Sequence, residues 1–208
     1  MNRRGLTVSL AIPCYNAGAF IQQALDSIYL QTALPDEIII VDDGSTDNTV
    51  SIIKNNPDLQ LIVHEENCGI AAARNSVLRN AKGDIIIFMD ADGIADPLFI
   101  EKLLSCYENP EIGGVGGKGI EAVQKSYFDR WRKEVLFQHW GDLPLEDVPF
   151  IFGICSSYRK NIIEKINGFD ENYTSSGEDM DIGFRLHKAG FKLAYIPEAI
   201  VFHQRSDN

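Results

Sequence analysis

Long apolar runs are missing from this sequence. The longest, such as Ile85 to Met89, fall far short of the ~20 residues that cross a bilayer, so no membrane span is expected. The amino-terminal MNRRGLTVSLAIPCYN has two arginines but no apolar stretch of signal-peptide length, and reads as the lead-in to a strand. Cysteine is scarce as well. Cys14, Cys68, Cys106 and Cys155 lie far apart and form no CxxC pair, which points to buried free thiols in a reducing compartment and away from a disulfide framework or a zinc site. Basic charge is in deficit: 19 Lys and Arg face 30 Asp and Glu, a formal net charge of −11. That excludes a non-specific nucleic-acid binder, because affinity for a phosphate backbone comes from clustered cations. An anionic ligand would need local help, most simply a divalent cation. What is present is a chain of 208 residues that should bury ~70% or more of its unfolded surface in one domain, expected to be cytoplasmic.

The first half alternates between two periods. Thr7 to Ile12 is a short β-prone run that Pro13 is expected to break. Ile21, Ala24, Leu25 and Ile28 then mark one helix face at i, i+3, i+4 and i+7. Asp36 to Val41 holds a continuous apolar run of the kind buried on both faces of a parallel sheet. A helix capped by Ser45 or Thr46 should run to about Asn55. Leu59 to Val63 reads as a third strand, with Ile70, Ala73 and Val77 marking the next helix. Ile85 to Met89 is the fourth strand, and Pro97 suits the first residue of a helix reaching Glu108. Such alternation predicts a doubly wound α/β sheet.

The second half is less regular. A glycine-rich stretch, EIGGVGGKG, precedes an aromatic segment from Tyr127 to Trp140. Ile151 to Ser157 reads as a strand and Arg159 to Ile166 as a short helix. A helix over Glu178 to Ala189 should be closed by Gly190, and Phe191 to Tyr195 and Ala199 to Phe202 read as two short strands.

Ligands of open α/β sheets bind beyond the carboxyl ends of the strands. There the sequence places Pro13-Cys14-Tyr15-Asn16, Asp42-Asp43-Gly44-Ser45 and Asp90-Ala91-Asp92-Gly93. Each cluster alone has a bland reading, since Asp and Gly are turn residues and Asp43 can simply cap a helix. Acids following two separate apolar strands repel one another, and a divalent cation would relieve that repulsion. Asp90 and Asp92, two apart, project to one side of an extended chain and leave coordination positions open for Mg²⁺ or Mn²⁺ shared with phosphates. A calcium loop does not fit, because the later acids and the terminal Glu are absent. A phosphatase-type nucleophile motif ordinarily falls near the amino terminus and continues to Thr, whereas this one is mid-chain and continues to Ile94.

A second acidic run, Ser176-Gly177-Glu178-Asp179-Met180-Asp181, opens the last helix. Acids at a helix start are favoured by the macrodipole alone, by ~0.3–1 kcal/mol each. At ~100° per residue, Glu178 and Asp179 flank the face of Ile182, Leu186 and Ala189, whereas Asp181 joins Arg185 and Lys188 on what reads as a solvated ion-pair face. Spacing does not choose between Glu178 and Asp179. His203, after an apolar strand, is either structural or an imidazole completing a metal site with Asp92.

The ordered set SLAIPCYNAGAFIQQALDSIYLQT, EIIIVDDGSTDNT, NCGIAAARNSVLRNAKGDIIIFMDADG, NGFDENYTSSGEDMDIGFRL and IVFH resembles the inverting family-two glycosyltransferases with a GT-A fold, over Thr7 to His203. The resemblance implies a mixed, mainly parallel sheet flanked by helices in one domain, with a nucleotide-binding half at 1–110 and an acceptor-binding half at 111–208. It implies that Pro13, Tyr15, Asn16 and Ala91 line the nucleotide pocket, that Asp43 binds the base, and that Arg74 reaches the base or diphosphate. Asp90 and Asp92 match the DxD motif, Asp92 as direct metal ligand and Asp90 nearer the ribose and sharing the metal, with His203 as a further ligand. Asp179 matches the general base, and Glu178 would hold the acceptor or orient that base. The implied activity is Mn²⁺- or Mg²⁺-dependent transfer of a hexose or N-acetylhexosamine from a nucleotide-diphospho-sugar to a glycan or lipid-linked acceptor, in polysaccharide or cell-envelope synthesis. Such an enzyme would stand at most peripherally at the inner face of a membrane.

Residues 119–150 match nothing general in that family, and Trp131 and Trp140 there would either stack on acceptor sugars or pack in the core. No QxxRW-like motif follows the GED run, which points away from a processive cellulose- or hyaluronan-type synthase. Only five residues follow His203, so a lid would come from 119–150 or from chain beyond. Two other classes compete. A sugar nucleotidyltransferase would show a glycine-rich basic loop after the first strand, which PCYNAGAF is not. A catalytically dead sugar- or nucleotide-binding module would be expected to lack some of the acids, and all are present.

Overall fold

A computed structural model describes residues 5–123, 127, 134–135 and 137–204. Among these residues, eight strands form one sheet in the order β3-β2-β1-β4-β7-β6-β8-β5. The strands are β1 (Val8–Cys14), β2 (Glu37–Asp42), β3 (Gln60–Val63), β4 (Ile85–Met89), β5 (Gly93–Ala95), β6 (Ile112–Glu121), β7 (Cys155–Arg159) and β8 (Lys192–His203). The first four pair in parallel, whereas β7 runs antiparallel to both β4 and β6, and β5 antiparallel to β8. The expected mixed, mainly parallel sheet is therefore what forms, and it runs without a break through both halves of the chain.

β1, β2 and β4 are buried along almost their whole length, because helices cover both faces: α1 (Ile21–Tyr29), α2 (Thr49–Ile53), α3 (Ile70–Asn80), α4 (Phe99–Leu104), α5 (Lys160–Lys165) and α6 (Glu178–Lys188). Two apolar layers result, one with α1 and α4, the other with α3, α5 and α6. The face of Ile21, Ala24, Leu25 and Ile28 is buried as its spacing required. Gly190, at φ +87°, closes α6, with its N–H donating to the carbonyl of His187.

Several local expectations were overridden. Pro13 does not end β1. The β4 pairing stops at Ala11 while the β2 pairing continues to Cys14, so Pro13 lies where one side of the strand is open and its missing N–H costs no ladder bond. Ser45 and Thr46 do not cap a helix; α2 begins only at Thr49, because Ser45 Oγ accepts from the Asn16 amide and Asn16 Oδ1 accepts from the Thr46 and Asp47 amides. Pro97 lies in a turn before α4, which starts at Phe99 and tightens into a 3₁₀ turn at Ser105–Glu108.

The glycine-rich stretch is a strand, β6, inserted between β7 and β8. A Cβ on Gly117 would meet the Ala199 carbonyl oxygen at 2.2 Å, so only glycine permits that approach. The two short strands expected at the end are one long strand, β8, which passes Pro197 by a register shift against β6. Of the thiols, Cys14 and Cys155 are buried but Cys68 is exposed and Cys106 intermediate. No helix among the described residues is long and apolar enough to cross a membrane.

Candidate active site

Above the carboxyl ends of β1 and β4 opens a cleft of about 680 Å³. It is lined by Pro13, Tyr15 and Asn16 from the β1 end, by Asp90, Ala91 and Asp92 from the β4 end, by Glu178 and Asp179 from the start of α6, and by His203 and Arg74. Sheet topology brings these together: β1 and β4 are neighbours, so their carboxyl-terminal loops must share an edge. α6 arrives because Gly69, at φ +91°, leaves room for the Thr174 backbone, whose oxygen would lie 2.6 Å from a Cβ there, and the Ile70 amide donates to that oxygen.

Asp90, Asp92 and His203 place one ligand atom each within 4.8 Å of one another. His203 Nε2 lies 3.1 Å from Asp92 Oδ2 and its Nδ1 2.9 Å from Glu121 Oε1. Burial works against the imidazolium, but Asp92 and Glu121 outweigh it and hold His203 above its ordinary range. Asp90 opens 34% of its side chain to the cleft, yet desolvation by the surrounding protein raises its carboxyl, with Arg74 opposing and Asp92 adding to the rise. Two carboxylates and one imidazole form a hard-to-borderline donor set, which fits Mn²⁺ or Mg²⁺ and contains no thiolate that would select a softer ion.

The acids of α6 divide their labour. Glu178 is 5% exposed, and its Oε1 accepts from Arg74 Nη1 at 2.7 Å. Arg74, itself 2% exposed, lies 3.9 Å from Asp90 and packs against both the Phe88 and the Phe169 ring, which also touch each other edge to face. The guanidinium thus ties the helix start to the acids beyond β4. Asp179 has no cationic partner among the described residues: Oδ1 accepts from the Met180 amide and Oδ2 from the Gly153 amide at 3.2 Å. Asp181 is not on a solvated face. Its side chain is 18% exposed, paired with Arg185, whose Nη1 donates to the carbonyls of Ile166 and Gly168.

Asp43 does not line the cleft. It is 4% exposed, and its carboxylate faces His64 Nδ1 at 2.6 Å and accepts from the Cys68 and Gly69 amides, fixing the entry to α3. Nor does Asn16 offer its carbonyl to the cleft, since the Thr46 and Asp47 amides hold it. Trp140 donates to the Phe150 carbonyl and packs against Phe150 and Phe152, so it supports the wall through Phe152, which does line the cleft. Trp131 lies outside the described residues. Sequence reasoning missed Glu121, Phe152, the Gly153 amide and Gln138. None sits in a motif, and only the tertiary fold brings them to the site.

The family model described as glycosyl transferase family 2 matches residues 9–167. The chain is 30% identical to the O-antigen chain rhamnosyltransferase RfbN of Salmonella typhimurium, over 97% of this chain and 67% of that protein. It is 26% identical to the poly-beta-1,6-N-acetyl-D-glucosamine synthase of Staphylococcus epidermidis, over 93% of this chain and 48% of that protein. Among solved structures, the mannosyltransferase PcManGT from Pyrobaculum calidifontis in complex with GDP-Man and Mn²⁺ matches with a TM-score of 0.76 at 23% identity, over 98% of this chain and 58% of that one. S. aureus TarS 1–349 in complex with UDP-GlcNAc matches at 0.73 and 19% identity, over 98% and 60%. The chain thus spans about half to two thirds of the length of these proteins, and the shared fold is that of GT-A glycosyltransferases.

Proposed function

Because the chain belongs to glycosyl transferase family 2, we propose that its cleft transfers one sugar from a nucleotide-diphosphate donor to an acceptor hydroxyl, with inversion. The observation that carries this reading is that the Asp90–Asp92–His203 trio and Asp179, which has no cationic partner among the described residues, line one cleft.

Residues 1–110 would supply most of the donor side and 111–208 most of the acceptor side. Pro13, Asn16 and Ala91 shape the nucleotide end, and Tyr15, 49% exposed at the cleft, offers a ring face to the base. Asp43 would act on the base by fixing the start of α3. Asp90, Asp92 and His203 would hold Mn²⁺ or Mg²⁺, which as a Lewis acid would neutralise charge on the departing diphosphate. Asp179, which among the described residues accepts from backbone amides alone, would take the proton of the attacking hydroxyl. Glu178 is committed to Arg74, which favours Asp179 as the base and leaves Glu178 to fix the helix start and the acceptor. A single carboxylate acting as base, with no second one assigned as nucleophile, supports one displacement, and one displacement inverts.

The relatives include a rhamnosyltransferase and a synthase of an N-acetylglucosamine polymer, and the neighbours bind GDP-Man and UDP-GlcNAc. The donor class is accordingly any nucleotide-diphospho-hexose, deoxyhexose or N-acetylhexosamine, and the acceptor a glycan or lipid-linked glycan of the cell envelope. A thermal-shift screen of such donors with and without Mn²⁺ tests this. At 100-fold over Kd, binding adds about 2.7 kcal/mol, or ~5–10 °C for a chain of this size. No donor giving a Mn²⁺-dependent shift would overturn the reading.

A further inference from the structure

Glu121 belongs to none of the motifs and is the last residue of β6. It is 7% exposed, and His203, which faces it, is 3% exposed. The two are register partners on adjacent parallel strands, and the amide of Ala122 donates to the His203 carbonyl at 3.0 Å, so backbone pairing fixes both ends of the contact. The carboxylate Oε1 stands 2.9 Å from Nδ1 while Nε2 faces Asp92 at 3.1 Å.

An imidazole can give a lone pair to a cation at one nitrogen only if its proton sits on the other. A carboxylate is a pure acceptor, so a proton on Nδ1 is the one arrangement Glu121 favours. Nε2 is then the atom presented to Asp90 and Asp92. The carboxylate also restrains ring rotation and makes the imidazole a stronger donor, as such partners do in established carboxylate–histidine–metal arrangements.

We propose that Glu121 is a positioning residue for the bound cation: by accepting from His203 Nδ1 it aims Nε2 at the Asp90–Asp92 pair and raises metal affinity without touching the metal. The proposal rests on the metal reading above. It makes the carboxyl end of β6, 82 residues from His203 in sequence, part of the site.

The test uses the whole chain and Mn²⁺ alone, with free ion followed by electron paramagnetic resonance. Glu121→Leu removes the acceptor and should weaken Mn²⁺ binding ~10–100-fold. Glu121→Gln keeps an acceptor oxygen of the same reach and should recover most of that loss, which a charge or folding defect would not do. Thermal unfolding of each variant, and binding of nucleoside diphosphate without metal, should match wild type for Glu121→Gln; if Glu121→Leu fails to fold, a few-fold Mn²⁺ deficit in well-folded Glu121→Gln decides in favour. Wild-type Mn²⁺ affinity in both variants, with Asp92→Ala abolishing binding, would overturn the role of Glu121 alone. No Mn²⁺ binding by wild type, or none lost in Asp92→Ala, would overturn the metal reading and this proposal with it.

Discussion

Replacing Arg74 by methionine removes a buried charge while keeping a flexible apolar chain against the Phe88 and Phe169 rings, whose centroids lie 5.5 Å from the guanidinium. Glu178, 2.7 Å away and 6% exposed at its side chain, is then left without its cation. Breaking a buried pair in this way costs about 3–5 kcal/mol. For a chain of this length each kcal/mol moves the midpoint by ~2–4 °C, so thermal unfolding should drop by ~6–20 °C. The converse change, Glu178→Leu, strands the arginine and should cost as much. The double variant Arg74→Met/Glu178→Leu should recover a large part, because apolar replacement of both partners of a buried pair is often close to neutral. Circular dichroism during thermal and urea unfolding of all four proteins gives the cycle, with an expected coupling of about 2–3 kcal/mol. Effects that add to within ~0.5 kcal/mol would show that the two side chains do not depend on each other, and Arg74 would return to a purely donor-facing role.

Asp179→Asn keeps the shape and one of the two amide contacts, since Nδ2 cannot accept from an N–H, and removes the proton acceptor, so kcat should fall ~10²–10⁴-fold while donor affinity, read by calorimetry, stays near wild type; retention of kcat would move the base to Glu178. Asp181→Asn, in a pair whose Asp181 side chain is only 18% exposed, should lower stability by ~1–2 kcal/mol through loosening of Arg185 from the Ile166 and Gly168 carbonyls, visible as a lower urea midpoint. Gly117→Ala should destabilise severely, since its Cβ would meet the backbone oxygen of Ala199 at 2.2 Å and neither strand can yield cheaply; wild-type melting would refute the packing argument. Burial pushes the Cys14 and Cys155 thiols up, so a maleimide should label exposed Cys68 first in the folded protein, and mass spectrometry should find Cys14 and Cys155 modified only after unfolding.

The parts of this protein legible in its sequence are those set by near neighbours. Strand Ile85–Met89 and the face Ile21-Ala24-Leu25-Ile28 were readable because burial on one or both sides imposes a periodicity that apolar residues record directly. The βα alternation then fixed the edge at which Asp90, Asp92 and the Pro13–Asn16 loop had to meet, since parallel strands with short returns expose their carboxyl ends on one side. The helix phase also put Glu178 and Asp179 on the sheet side of α6. What tertiary structure alone decided involves partners far apart along the chain. β6 was invisible because glycine records no face, and its strand exists only because β7 and β8 supply hydrogen bonds on both sides. Ser45 and Thr46 had the chemistry of caps, but Asn16, some 30 residues away, competed for the same loop and won. Asp43, Glu178 and Asp179 are equally acidic in sequence; His64, Arg74 and the Gly153 amide, brought up by folding, tie the first to a helix entry, the second to a buried cation, and leave the third facing the cleft. Sequence fixes which groups are available, because side-chain chemistry is local. Which of them keep a free lone pair is decided by the contacts of the folded chain.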